Sequence, residues 1–541
     1  VNYRQQQPNI LFIVLDTQRA DRLSCYQSDP GLMPTTPHLD RFAQEATLFE
    51  RAISPAQWTI PAHASMFTGE YPSTHQTVQA DIELGQPYLT LAELLKVNGY
   101  DTVGFCNNPL VGILRNGLRR GFNSFYNYGG ALPTRPAAAT PLPTPLNILI
   151  EQYTQFWRKI SYPFQNAFAQ SDWLFQLALQ PWLVPLWTHL AHFKGDTQAS
   201  IQDLCVYLRQ AAYSQSSPQT DAVQPFFCFV NLMEPHLPYW PPEPFLRQFL
   251  PYFSQDRQAR DFLRTYNTQP YRWMAPLADP LLPLESQVLS DVYNAEVAYQ
   301  DSLLGQLFTT LTETGLDQTT VVVVVADHGE GLGEHQFVGH AFVVFEELVR
   351  VPLLIRYPDV FPAGQRITTP VSTRRLFHTL LELAGVATPI KGRIRLNRQL
   401  RREINRLSLS QTVNNQDPET EGVLTEAFPP HILIRAMQKR EDTLLRSQHC
   451  HSTRRALYQG STKLIQVGEE MSLFDLSLDP TESLNYGSER PDQVSCLQEI
   501  LHQMILRAEN RRSMTEPSPR RISFEDDQDL VRRMQDLGYL E

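Results

Sequence analysis

The segment Ala56-Gln57-Trp58-Thr59-Ile60-Pro61-Ala62-His63-Ala64-Ser65-Met66-Phe67-Thr68-Gly69 sets a hydroxyl, a proline and a short helical pattern in succession. Pro61 suits a first helical turn, where its missing N–H costs nothing. The Thr59 hydroxyl then lies among unpaired N–H groups at the positive end of a helix dipole. Such a hydroxyl is either a helix N-cap or a nucleophile for an anionic ester, whose charge the same amides can hold. Three further segments carry chemistry at the ends of apolar runs. Asn9–Leu15 ends in Asp16-Thr17, residues 225–232 lead into Met233-Glu234-Pro235-His236, and Thr320–Ala326 ends in Asp327-His328, with Gly339-His340 beyond.

Taken singly, each of these has a plain reading. Asp16 is a ligand or a helix N-cap, His236 packs between Pro235 and Pro238, and His340 is an interface histidine after a glycine turn. Several strands of one sheet ending in polar groups point instead to a shared crevice. Two carboxylates and an imidazole with oxygen neighbours suit one divalent cation. Oxygen-rich ligation favours Ca²⁺, Mg²⁺ or Mn²⁺, while a histidine tilts the choice toward Mn²⁺ or Zn²⁺. An ion beside Thr59 would lower the pKa of its hydroxyl and screen an anionic sulfuryl or phosphoryl group. His236 and His340 would share three tasks: holding the transferred oxygens, protonating the departing oxygen and activating water.

These groups need a scaffold. The runs at Asn9–Leu15, 225–232 and Thr320–Ala326 are apolar and β-rich on both faces, which predicts parallel strands covered by helices. Further strands are expected at 101–105, ending near Asn107 and Asn108, and at 351–356, with helices at 88–97, 289–311 and 376–384. The Ala/Pro/Thr-rich stretch 130–145 reads as a loop and the 240–286 region as irregular surface chain. Strand-like runs at 432–437, 455–457 and 463–467 and a helix at 494–507 predict a second, smaller unit. The fold class is therefore α/β, a large mostly parallel sheet flanked by helices, with a smaller C-terminal α+β domain. Expected boundaries are a catalytic domain at 1–391 with an apolar helical insertion at 146–193, a connection at 392–421, the small domain at 422–508, and a tail with a short terminal helix at 509–541.

A chain of 541 residues exceeds one ordinary core, in keeping with that division. Its net charge of -11 excludes a sequence-independent nucleic-acid binder. None of the six cysteines forms a CxxC pair, so they read as mostly buried thiols, with a lean toward a reducing compartment. No secretory leader is visible ahead of Asn9, and the expected location is cytoplasmic. The 146–193 insertion is long and aromatic, but its prolines argue against a membrane span. Paired amphipathic helices are expected there, serving as a lid, a subunit contact or a membrane-surface face.

The pattern resembles the sulfatase family of the alkaline-phosphatase superfamily. The matching pieces are Asn9-Ile10-Leu11 through Asp16, Trp58 through Gly69, Met233-Glu234-Pro235-His236 through Tyr239, and Asp327-His328-Gly329-Glu330 with Gly339-His340. Leu473-Phe474-Asp475-Leu476-Ser477-Leu478-Asp479-Pro480-Thr481-Glu482 with Asn485 matches as well. The resemblance implies that Asp16, Asp327 and His328 ligate a metal, with Thr17 at the place of a further polar ligand. By the same resemblance His236 and His340 surround the transferred group, and His63 falls where the family has the arginine that supports the nucleophile. Thr59 departs from the family pattern: sulfatases have there a cysteine or serine that is converted to formylglycine, and no formylglycine is expected here. A threonine nucleophile is normal among related phosphatases, phosphodiesterases and phosphoglycerol transferases. The resemblance thus implies a metal-dependent hydrolase of a sulfate or phosphate ester on a small molecule, glycan or lipid. A phosphomonoesterase, phosphodiesterase or phosphoglycerol-type transferase is the alternative enzyme, and a non-catalytic anion-binding homologue the alternative of another class.

Overall fold

The computed structural model describes residues 7–27, 34–130, 133–136, 194–216, 224–269, 276–387, 396 and 398–514, with residues 173, 177, 180 and 182–184 of the insertion. The rest of the 146–193 insertion, and the expected terminal helix near 530–537, lie outside the described residues.

Eight strands form the main sheet: β1 (Asn9–Leu15), β2 (Thr47–Phe49), β3 (Asp101–Cys106), β4 (Ser124–Asn127), β5 (Phe226–Leu232), β6 (Thr320–Ala326), β7 (Leu353–Arg356) and β8 (Arg366–Ile367). Their spatial order is β8-β2-β7-β6-β1-β5-β3-β4. The run β6-β1-β5-β3-β4 is parallel throughout, and β7 enters antiparallel to both β6 and β2. Every residue of β1, β5 and β6 is buried, as β-branched and aromatic residues on both faces require of a sheet covered on both sides.

Register explains the crevice. Leu15 stands opposite Leu232 on one side and Ala326 on the other, so Asp16 and Asp327 leave the sheet as neighbours. Helix α1 (Thr59–Thr68) lies on the face that Phe229 presents, where Phe67 and His63 meet the Phe229 ring edge-on at 5.1 and 5.9 Å. All ten residues of α1 are buried. Gly69 ends the helix at φ 76, and a Cβ there would stand 2.5 Å from His378, so glycine satisfies both turn and packing. Helix α2 (Thr197–Ser216) and the long α3 (Pro283–Glu313) complete the cover, and Asp301 of α3 accepts the His38 and Leu39 amides at 2.9 and 2.8 Å.

The smaller domain has four antiparallel strands in sequence order: β9 (Val423–Ala427), β10 (Arg454–Gln459), β11 (Thr462–Val467) and β12 (Glu470–Asp475). Leu424, Leu457, Leu464 and Leu473 pack beneath Leu497 and Leu501 of the C-terminal helix (Pro491–Ser513). Ala456, Tyr458, Ile465 and Phe474 meet Phe345 and Leu348 of the large domain.

Two expectations change, and the connection at 392–421 gains elements of its own. The 432–437 run is not a strand but opens the helix His431–Ser447 directly after Pro429-Pro430. A short apolar run has no period of its own, and prolines just ahead favour helix initiation. The 240–286 region is not irregular throughout, since it holds helices Glu243–Phe249 and Arg257–Thr268, the second capped by the Asp256 carboxylate on the Gln258 and Ala259 amides. The 392–421 segment carries helices Arg398–Leu407 and Leu409–Val413. Fully buried Arg375 fastens them by donating to the Leu407 carbonyl at 2.8 Å, the Ser408 carbonyl at 3.1 Å and the Thr412 hydroxyl at 3.0 Å.

Candidate active site

Asp16, Asp327 and His328 form a fully buried cluster whose ligand atoms lie within 4.8 Å of one another. The His328 Nδ1–H donates to the Gly329 carbonyl at 2.9 Å, which leaves Nε2 as a lone-pair donor. That nitrogen stands 3.8 Å from Asp16 Oδ1 and 3.5 Å from Asp327 Oδ2. Both of those carboxylate oxygens are buried with no hydrogen-bond partner. Orphaned buried carboxylate oxygens are costly unless something charged meets them. Burial pushes Asp16 up to about 6, against hydrogen bonds from Asn108 and Asn231. Burial and the Asp16 charge raise Asp327 well above the carboxylate range. Two oxygens and one imidazole nitrogen starved of positive charge fit a divalent cation, and this cluster can coordinate one.

The oxygens not aimed at the centre are occupied. Asp16 Oδ2 accepts from Asn108 Nδ2 at 2.6 Å and Asn231 Nδ2 at 3.3 Å. Asp327 Oδ1 accepts the His328 amide at 2.9 Å and the Thr17 amide at 3.3 Å. Thr17 adopts a left-handed backbone at φ 57, with its carbonyl accepting from the Tyr293 hydroxyl at 2.6 Å. Its hydroxyl donates to the Asp16 carbonyl at 2.7 Å, while its amide reaches Asp327 Oδ1.

Thr59 begins α1, and its hydroxyl lies 3.3 Å from His328 Nε2 and 3.4 Å from Asn108 Nδ2. One turn on, His63 Nδ1–H donates to the Thr59 carbonyl at 2.9 Å and lies 3.5 Å from Asp327 Oδ2. Burial lowers His63 to about 4, so it brings a neutral ring to the site. His340 and His236 face each other with ring centroids 5.1 Å apart, and His340 lies 4.6 Å from His328. Their settings diverge. Burial, then the neighbouring His340, lowers His236 to about 3. Burial also opposes charge on His340, but the Glu330 carboxylate, 2.9 Å from its Nδ1, outweighs burial and raises it.

The structure therefore brings Asp16, Thr59, His63, His236, Asp327, His328 and His340 into one crevice. Sequence reasoning left Asn108, Asn231 and Glu330 without roles. Asn108 follows a strand end, Asn231 interrupts an apolar strand, and Glu330 follows Asp327-His328, so each carried a positional signal.

Residues 8–386 match the Sulfatase family model. The ulvan-active sulfatase of Formosa agariphila is 26% identical over 458 residues, covering 81% of this chain and 73% of its own. Among solved structures, the phosphonate monoester hydrolase of Agrobacterium radiobacter superposes with a TM-score of 0.59 at 20% identity, covering 94% of this chain and 96% of that one. A structure solved with its substrate D-glucosamine-2-N,6-O-disulfate gives a TM-score of 0.61 at 17% identity, covering 95% and 100%. Fold, buried metal-ligand cluster and family match agree on a hydrolase of anionic esters. The chain belongs to the sulfatase family.

Proposed function

We propose that this protein hydrolyses a singly charged phosphoester, of diester or phosphonate-monoester type, through a covalent intermediate on Thr59. The observation that carries the reading is an unconverted threonine hydroxyl 3.3 Å from His328 Nε2, with none of the six cysteines in the 56–69 segment. A divalent cation held by Asp16, Asp327 and His328 would lower the pKa of the Thr59 hydroxyl and screen the ester's charge. Thr59 Oγ, its proton lost to solvent, attacks phosphorus, and the bond to the leaving alcohol breaks. His340 protonates that departing oxygen, with Glu330 holding the imidazolium. Water then attacks phosphorus as His340 takes its proton, the bond to Thr59 breaks, and Thr59 recovers a proton from solvent. Asn108 orients Thr59, and neutral His236, whose Nδ1–H is committed to the Leu237 carbonyl, lines the site beside His340.

A neutral His63 supports the singly charged substrate, because a site lacking a cation there has less to offer a dianion. A threonine also favours phosphorus over sulfur, since a sulfo-threonine has no aldehyde hydrate to expel sulfate. Similarity to the ulvan-active sulfatase sustains a second reading, a sulfate ester on an anionic glycan. Intact-protein mass spectrometry of metal-loaded enzyme with bis(4-nitrophenyl) phosphate and, separately, 4-nitrophenyl sulfate decides. An arylphosphoryl adduct on Thr59, absent from Thr59→Ala, is expected. Sulfate release that Thr59→Ala abolishes, with no phosphoester turnover, would replace the proposal by the sulfatase reading. Neither adduct nor turnover would favour an anion-binding role.

A further inference from the structure

Outside the crevice, His335, Glu347 and Glu482 bring one ligand atom each to within 4.8 Å of one another. His335 and Glu347 belong to the large domain and flank His340 in sequence, while Glu482 follows β12 of the small domain. Both carboxylates are shielded, the side chain of Glu347 being 7% exposed and that of Glu482 fully buried. Glu347 Oε1 has no hydrogen-bond partner, and its Oε2 lies 4.0 Å from His335 Nε2. The His335 ring is held flat against Phe345, centroids 3.7 Å apart and 11° from parallel.

Charge is out of balance around this cluster. Lys463 is the cation that reaches it, with Nζ 2.7 Å from Glu482 Oε1 and 3.2 Å from Glu346 Oε1. Glu346 also accepts from the Tyr458 hydroxyl, and its amide donates to Glu482 Oε2 at 2.6 Å. Arg19 lies nearby but is committed to Asp21 and Glu334 at 2.9 and 2.7 Å. Lys463 thus pairs with Glu346 and Glu482, while the cation near Glu347 is the committed Arg19, and burial with neighbouring acids raises Glu347 to about 8. Carboxylates left over in such a place must take up a proton or a metal ion. The histidine makes the difference, because a nitrogen ligand beside two carboxylates is a transition-metal donor set.

We propose that His335, Glu347 and Glu482 form a second binding site for a divalent transition-metal ion of the zinc or manganese type, which clamps the small domain onto the loop carrying His340. An ion centred in a triangle of sides up to 4.8 Å sits within about 2.8 Å of each corner, so shifts of roughly 0.7 Å or less reach bonding distance. Half-buried His335 provides the approach from solvent. The clamp is separate from the hydrolytic cluster and does not depend on which ester is cleaved.

The test is metal stoichiometry on the full chain, stripped with chelator and dialysed against zinc or manganese. Wild type is expected to hold two ions, His335→Gln and Asp327→Asn one each, and the double variant none. In the Asp327→Asn background zinc should raise the melting temperature, and adding His335→Gln should abolish that rise. Glu347→Gln, which keeps the side chain's shape, should reproduce the loss. One ion in wild type, or two retained in His335→Gln, overturns the proposal and leaves Glu347 as a buried protonated acid.

Discussion

Two clusters in this molecule use the same side-chain types, two carboxylates and a histidine, in different company. Around Asp16, Asp327 and His328 the supporting groups are neutral: the Asn108 and Asn231 amides and the Thr17 backbone N–H. Around His335, Glu347 and Glu482 a buried lysine takes part of the negative charge. The two are joined through backbone, the Gly329 and Glu330 amides donating to the Leu348 and Glu347 carbonyls at 2.7 and 3.1 Å. Neutral donors fix geometry yet leave the charge available for an ion and a substrate. A lysine consumes charge and turns the same chemistry toward holding domains together. The first arrangement suits a reaction, the second an attachment.

The sharpest way to separate them is Thr59→Ala. It should lower turnover on the order of 10⁵-fold, as loss of a nucleophile does, and leave both metal clusters loaded. Turnover within tenfold of wild type would remove Thr59 from the chemistry. Lys463→Met should act on the other side of the comparison, leaving Glu346 and Glu482 without their cation. Breaking a buried ion pair costs about 3–5 kcal/mol, to be read by denaturant unfolding, while metal binding at Asp16 and Asp327 persists. Stability equal to wild type would show that the lysine is not structural. Asn108→Ala should reduce kcat roughly 10–100-fold with little change in melting temperature, since the amide orients Asp16 and Thr59.

The smallest effect is a pH dependence beneath helix α1. His75 is buried, its Nδ1 accepting the Thr77 amide and its Nε2 facing the Ser65 hydroxyl of α1, both at 3.0 Å. Burial lowers its pKa from 6.5 to about 3. The unfolded chain therefore takes the proton first, and stability present above 6.5 is lost as pH falls toward 3. At pH 5 the loss is about 2 kcal/mol. His75→Gln should flatten that part of the acid-stability curve, and an unchanged slope would rule His75 out as its source.

Much of the catalytic sheet was legible because its central strands are apolar on both faces and end abruptly in charge. Asp16, His236 and Asp327-His328 each follow such a run, so topology alone draws them together. Asn231 was only half legible, because a polar residue inside an apolar strand marks a special position without saying that it will face Asp16 across the strand pair. The His335, Glu347 and Glu482 cluster was hidden more deeply. Its members come from two domains, and only packing of the small sheet against Phe345 and Leu348 brings them close. The helix His431–Ser447 and the short strand Val423–Ala427 escaped for another reason: a segment of five or six residues is too short to reveal its period.

Helix α1 presents no residue to solvent along its ten positions. A saturation-mutagenesis scan should therefore find no permissive site between Thr59 and Thr68, since a surface position, where substitutions are usually worth less than about 0.5 kcal/mol, does not exist there. Divergence toward new substrates must then proceed through the loops around this helix, with the helix carried along nearly unaltered.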